Sequence, residues 1–243
     1  MGLIAKAKED PRLASVLSEL SGAVKLKYRK SQSDSWGSEL VGQTAVISYQ
    51  KCGMPAAALC HELLHVQIQV KGYRRVKIGF STYERSPLFA SFLTCLDNEL
   101  QHHKFYQLFL AMGFDPESFY CDSDVDTEAY LRDVLKKRVG KLIEILPDFL
   151  TLIAPGGSMT AEARMQLLNS FLSLDDGKVC LALTRIKAIV GQWAASDSLD
   201  NVPVYKEIML VLQPKPNYTW FGFDANDRPP QQGFFVDQVF EVV

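Results

Sequence analysis

Apolar side chains recur along this chain with two periods, and the changes between them lay out the elements. Leu13, Val16, Leu17 and Leu20 fall at three- and four-residue intervals, which predicts a helix over 11–20 with Gly22 as its stop. From 23 to 30 the period shortens to two. Val24, Leu26 and Tyr28 lie on one side and Lys25, Lys27 and Arg29 on the other, as in a half-buried strand. Residues 31–38 read as a polar turn, and 44–50, rich in β-branched and aromatic residues, as a second strand. These two strands predict a small antiparallel sheet.

Helical patterning then returns. No breaker separates Pro55 from Gly72, and the Ala and Leu content between them favours helix. After a stretch over 73–87 that reads as loop with short extended pieces, a second strong helix begins near Pro87. It carries Phe89, Phe92, Leu93 and Leu96 and ends at Gly113. Asp115-Pro116 and the acidic stretch over 122–128 mark a boundary. Helices are expected at 128–153, where Pro147 should kink or end the first, and at 160–173 and 178–195. Aromatic runs at 218–224 and 234–243 predict a terminal β-hairpin. The expected fold class is α+β: a small antiparallel sheet packed on two consecutive helices, then a mainly helical C-terminal half with that hairpin. Residues 1–121 and 122–243 are the expected regions, and they can equally be parts of one domain.

The helix after Pro55 carries His61-Glu62-Leu63-Leu64-His65. Imidazoles four residues apart share a helix face, so each can present a ring nitrogen to one Zn²⁺ at about 2.0 to 2.1 Å. The carboxylate of Glu62 between them can reach a water on that metal from the side. Catalytic zinc usually takes three protein ligands, and the second helix offers Glu99, His102 and His103 on a common face. The chain has four histidines, and all fall in these two clusters. Glu99 is the expected third ligand; His102 or His103 could take that place, with Glu99 in support. The expected activity is zinc-dependent hydrolysis with Glu62 as general base, then acid. Tyr83, Tyr106, Tyr120 or an unligated His102 are candidates to stabilise an oxyanion.

The His61-Glu62-Leu63-Leu64-His65 helix followed by Asn98-Glu99 resembles the gluzincin metallopeptidases, in which an Asn-Glu pair on a later helix supplies the third ligand. Four residues beyond that glutamate the family typically has an aspartate; here the position is His103. The order of elements over about 1–120 is similar to the ImmA/IrrE-type metallopeptidases. That resemblance implies an intracellular zinc peptidase acting on a protein or peptide, including a transcriptional regulator. A non-enzymatic interaction or regulatory protein on the same scaffold is the alternative, though an intact Glu62 argues against it.

Composition narrows the partners. A formal charge of -2 supplies no global field for nucleic acid or an anionic membrane. The cysteines 52, 60, 95, 121 and 180 show no metal or disulfide spacing, and no apolar run reaches the length of a membrane span. With no apolar leader at the start, a cytoplasmic setting is expected. Asp122, Asp124 and Asp126 begin like a calcium loop, but Thr127 and Asp133 stand where such a loop needs Gly and Glu.

Overall fold

The structure is a computed structural model that describes residues 2–33, 35–81, 87–121, 126–137, 142–174, 177–212 and 219–223. Its architecture is α+β, mainly helical with a small three-stranded sheet. The chain gathers into two compact units. One comprises Met1–Tyr73, Lys104–Thr127 and Pro155–Thr160, and the other Arg74–His103, Glu128–Ala154 and Ala161–Val243.

In the first unit, α1 (Leu3–Lys8) and a short 3-10 turn at Pro11–Leu13 precede α2 (Ala14–Ala23). Leu13, Val16 and Leu20 are the buried positions, as their spacing requires. Three strands follow: β1 (Lys25–Lys30), β2 (Gly37–Val41) and β3 (Thr44–Tyr49). Their order is β1-β3-β2, with β3 parallel to β1 and antiparallel to β2. This corrects the expected antiparallel sheet. The strand β2 begins on Gly37 and Ser38, read as turn, and runs through 39–41, for which no element was expected; Gly42 at φ 55 makes the tight connection that returns β3 into the middle. Periodicity reports which face is buried and says nothing of which neighbour a strand pairs with.

Ala45 and Ile47 point into the core, on which α3 (Pro55–Val70) packs through β2 and β3. Pro55 at the first helical position fits its fixed φ and absent N–H. Every residue from Ala57 to Ile68 is buried. Such a helix is wrapped on all sides, so its polar residues need partners inside the protein. Gln67 donates to Glu19 Oε2, for example. The last part of α4 (Pro87–Ala111) also belongs to this unit, since the division falls within that helix, after His103.

In the second unit, the first part of α4 is held by a buried carboxylate. Asp97 accepts from Gln101 Nε2 at 2.9 Å and from Tyr205 Oη at 3.2 Å, and it pairs with Arg75 Nε at 3.3 Å. Trp193 Nε1 donates to the Leu100 carbonyl at 3.0 Å. Around it lie α5 (Thr127–Lys137), α6 (Leu142–Ile153), α7 (Ala161–Leu172), α8 (Gly177–Ala195) and α9 (Val202–Leu212). Of the expected helix over 128–153, Thr127–Lys137 and Leu142–Ile153 are helical and 138–141 lie outside the described residues; Pro147 sits inside α6 rather than ending it. No element was expected over α9; Pro203 stands at its second position, in the first turn, where the missing N–H is tolerated. The strand β4 (Ile78–Ser81) pairs antiparallel with β5 (Thr219–Gly222). β5 falls in the first half of the expected hairpin, and the second half lies outside the described residues. Among the described residues no helix is long and apolar enough to cross a membrane.

Candidate metal centre

His61 and His65 lie one turn apart on α3, and both are buried. Their Nε2 atoms are 3.1 Å from each other. The His61 ring is fixed from behind: its Nδ1 is 2.7 Å from the carbonyl oxygen of Phe119. A carbonyl only accepts, so Nδ1 carries the proton and the neutral ring presents a lone pair at Nε2. Phe119 belongs to a short 3-10 helix, Pro116–Tyr120, that starts at Pro116 and is tied by Ser118 Oγ donating to the Asp115 carbonyl at 2.7 Å. Apolar rings wall the pair. Phe105 meets His61 and His65 edge-on, with centroids 5.4 and 4.7 Å away.

His102, on α4, completes a buried group with His61 and His65, in which ligand atoms lie within 4.8 Å of one another. The proton of His102 is also fixed. Nδ1 is 2.8 Å from Glu99 Oε2, and because a carboxylate accepts, Nδ1–H is the donor and Nε2 is left to ligate. Asn98 Nδ2 donates to that Nε2 at 3.3 Å, a bond that a metal ion would displace. Imidazoles that bind metal usually donate their second ring nitrogen to a carbonyl or carboxylate, which fixes the tautomer and raises basicity. His61 and His102 show one arrangement of each kind. Three imidazole donors suit zinc, copper, iron or nickel, so the donor set fits a metal ion and leaves its identity open.

The expected site residues therefore separate. His61 and His65 come together as the spacing required, and Glu62 is buried beside them on α3. Glu99 is not in that group of three; its Oε2 accepts from His102 Nδ1. His103 is half-buried and also outside the group. The Phe119 carbonyl carries no sequence signal, since any residue offers one; Glu99-x-x-His102, a carboxylate one turn before an imidazole, is a readable pattern. Tyr120 stands beside His61, with centroids 6.2 Å apart, Tyr106 packs edge-on against Phe119, and Tyr83 lies outside the described residues. Cys60 adjoins His61 in sequence, but burial pushes its thiol far up, so it stays protonated and packs against Met112. Neither a family model, nor a curated protein, nor a solved structure matches this chain.

Proposed function

We propose that His61, His65 and His102 hold a zinc ion and that the chain is a zinc-dependent hydrolase. Its class would be a metallopeptidase acting on a protein or peptide, with Glu62 as general base. The observation that supports this most is the pair of fixed imidazole protons, on His61 by a carbonyl and on His102 by Glu99. Both leave Nε2 as the ligating atom, and Glu62 is the carboxylate between the two helical histidines. When bound, zinc would polarise a carbonyl and lower the pKa of a water toward about 7. Glu62 takes the proton of the attacking water and delivers it to the leaving amine. Tyr120, whose ring centroid is 6.2 Å from that of His61, is a side-chain candidate to stabilise the oxyanion. The free cysteines accord with an intracellular setting.

A second reading has its own observation. Each of His61, Glu62, His65 and His102 is at most 6% exposed, which also suits a structural metal in a non-enzymatic protein. The two readings separate with Glu62→Gln, using metal analysis and cleavage of an unstructured peptide mixture. A hydrolase keeps its metal in this variant and loses cleavage. Cleavage undiminished in Glu62→Gln would sink the mechanism, and a metal-loaded wild type that cleaves nothing would favour the structural role.

A further inference from the structure

The outer end of the three-stranded sheet holds a cavity of about 550 Å³, remote in composition from the histidine group and lined by Arg29, Lys30, Ser33, Trp36, Glu39 and Ser48 among others. That volume lies in the range of small-molecule sites. Its floor follows from the strand register. Arg29 of β1 and Gly37 of β2 both pair with Ser48 of the central β3, so the three residues form one row across the sheet. Ser48 belongs to the face opposite Ala45 and Ile47, away from the core.

The donors here outnumber the acceptors. Arg29 Nε donates to Ser48 Oγ at 2.8 Å, which fixes the plane of the guanidinium and leaves its terminal N–H groups to the cavity. Among the described residues no carboxylate pairs with it. Over the floor, Ser31, Ser33 and Ser35 form a chain of hydroxyls with Oγ–Oγ distances of 3.0 and 3.3 Å. Trp36, 5% exposed, closes one wall of the cavity. Lys30 adds positive charge, while Glu39 at the rim is an acceptor suited to a hydroxyl.

From this geometry we infer that the cavity is a binding site for a small phosphate ester bearing hydroxyl groups, a sugar phosphate or a mononucleotide. The Arg29 fork would take two phosphate oxygens side by side, a geometry that guanidinium offers and ammonium does not. The serine hydroxyls would complete the oxyanion shell, and Glu39 would accept from a sugar hydroxyl. This site does not depend on the metal centre.

Calorimetric titration of the full chain tests it with inorganic phosphate, ribose 5-phosphate, AMP and adenosine. Binding is expected for ribose 5-phosphate or AMP, weaker binding for phosphate, and none for adenosine. Arg29→Met should weaken binding about tenfold or more, and Arg29→Lys should restore it only in part. Ser33→Ala removes the middle hydroxyl of the serine chain, so it should also bind more weakly, and since Arg29 and Ser33 are both exposed these variants keep the fold. Three outcomes overturn the inference: no heat with any phosphate ester, equal binding by Arg29→Met and wild type, or adenosine binding as tightly as AMP. Tighter binding of a single-stranded oligonucleotide than of AMP would overturn the small-ligand class.

Discussion

Nδ1 of His61 donates to the carbonyl oxygen of Phe119 at 2.7 Å, and this bond turns Nε2 toward Nε2 of His65, 3.1 Å away. The 3-10 helix that supplies the carbonyl is clamped in turn. Gly157 N–H donates to the Pro116 carbonyl at 3.0 Å, and Gly156 lies directly on the Phe119 ring. A backbone clamp thus reaches a metal-facing imidazole through one hydrogen bond.

Gly156→Ala should therefore weaken metal binding. A Cβ at that position would lie 2.8 Å from Phe119 Cδ1 and 2.9 Å from Cγ, at a φ of 84 that L side chains rarely adopt. Phe119 must move, and its carbonyl with it, at a stability cost of about 2 kcal/mol or more. Gly113→Ala is the control, since its φ is 86 and its nearest neighbour, Arg12 Cδ, is 3.7 Å away. Competition with a chelator should show weaker zinc binding for Gly156→Ala than for Gly113→Ala. Equal affinities would show that Phe119 does not position His61.

His102 and Glu99 should differ in kind. His102→Ala removes a ligand, and the purified protein should hold little metal. Glu99→Gln keeps an acceptor for Nδ1–H but loses the charge, so affinity should fall by about 10- to 100-fold while loading at saturating zinc remains complete. Metal content and chelator competition measure the two effects. Full affinity in His102→Ala, with metal lost in Glu99→Gln, would return the third position to Glu99.

Asp148 on α6 gives a prediction for pH. Burial raises its carboxyl above the ordinary 3.8, and a hydrogen bond from Tyr130 partly opposes this by favouring the charged form. The folded state thus holds this proton to higher pH than the unfolded chain, so stability falls as pH rises from 3.8 through the raised value and stays lower above it. Asp148→Asn should melt higher than wild type at pH 7, by up to about 2 °C because the group is only half-buried. That advantage should vanish in thermal melts as pH falls below 3.8. A constant difference across the range would assign the effect to something other than ionisation.

Much of the helical frame was legible because its signals are local. The α3 helix follows from Pro55, the Ala and Leu content and the absence of a breaker before Gly72, and α4 from the spacing of Phe89, Phe92 and Leu96 up to Gly113. β2 was not legible. Gly37 and Ser38 have turn-like composition and become strand because the hairpin at Gly42 lays them beside β3. The parallel pairing of β1 with β3 was hidden for a related reason, since alternation fixes the faces of a strand and leaves its neighbours open.

The candidate site divides in the same way. Residue spacing alone determined that His61 and His65 share one face of a helix with Glu62 between them, because 3.6 residues per turn is a property of the backbone. It also determined that Glu99 and His102 meet, being three apart on α4. Which of those two reaches toward α3 depends on how α4 is rotated about its own axis. That rotation is set by side chains far apart in sequence, among them Phe105 packed on His65 and the Tyr205 hydroxyl on Asp97. Only the tertiary structure groups His102 with His61 and His65, and only it brings the Phe119 carbonyl to His61.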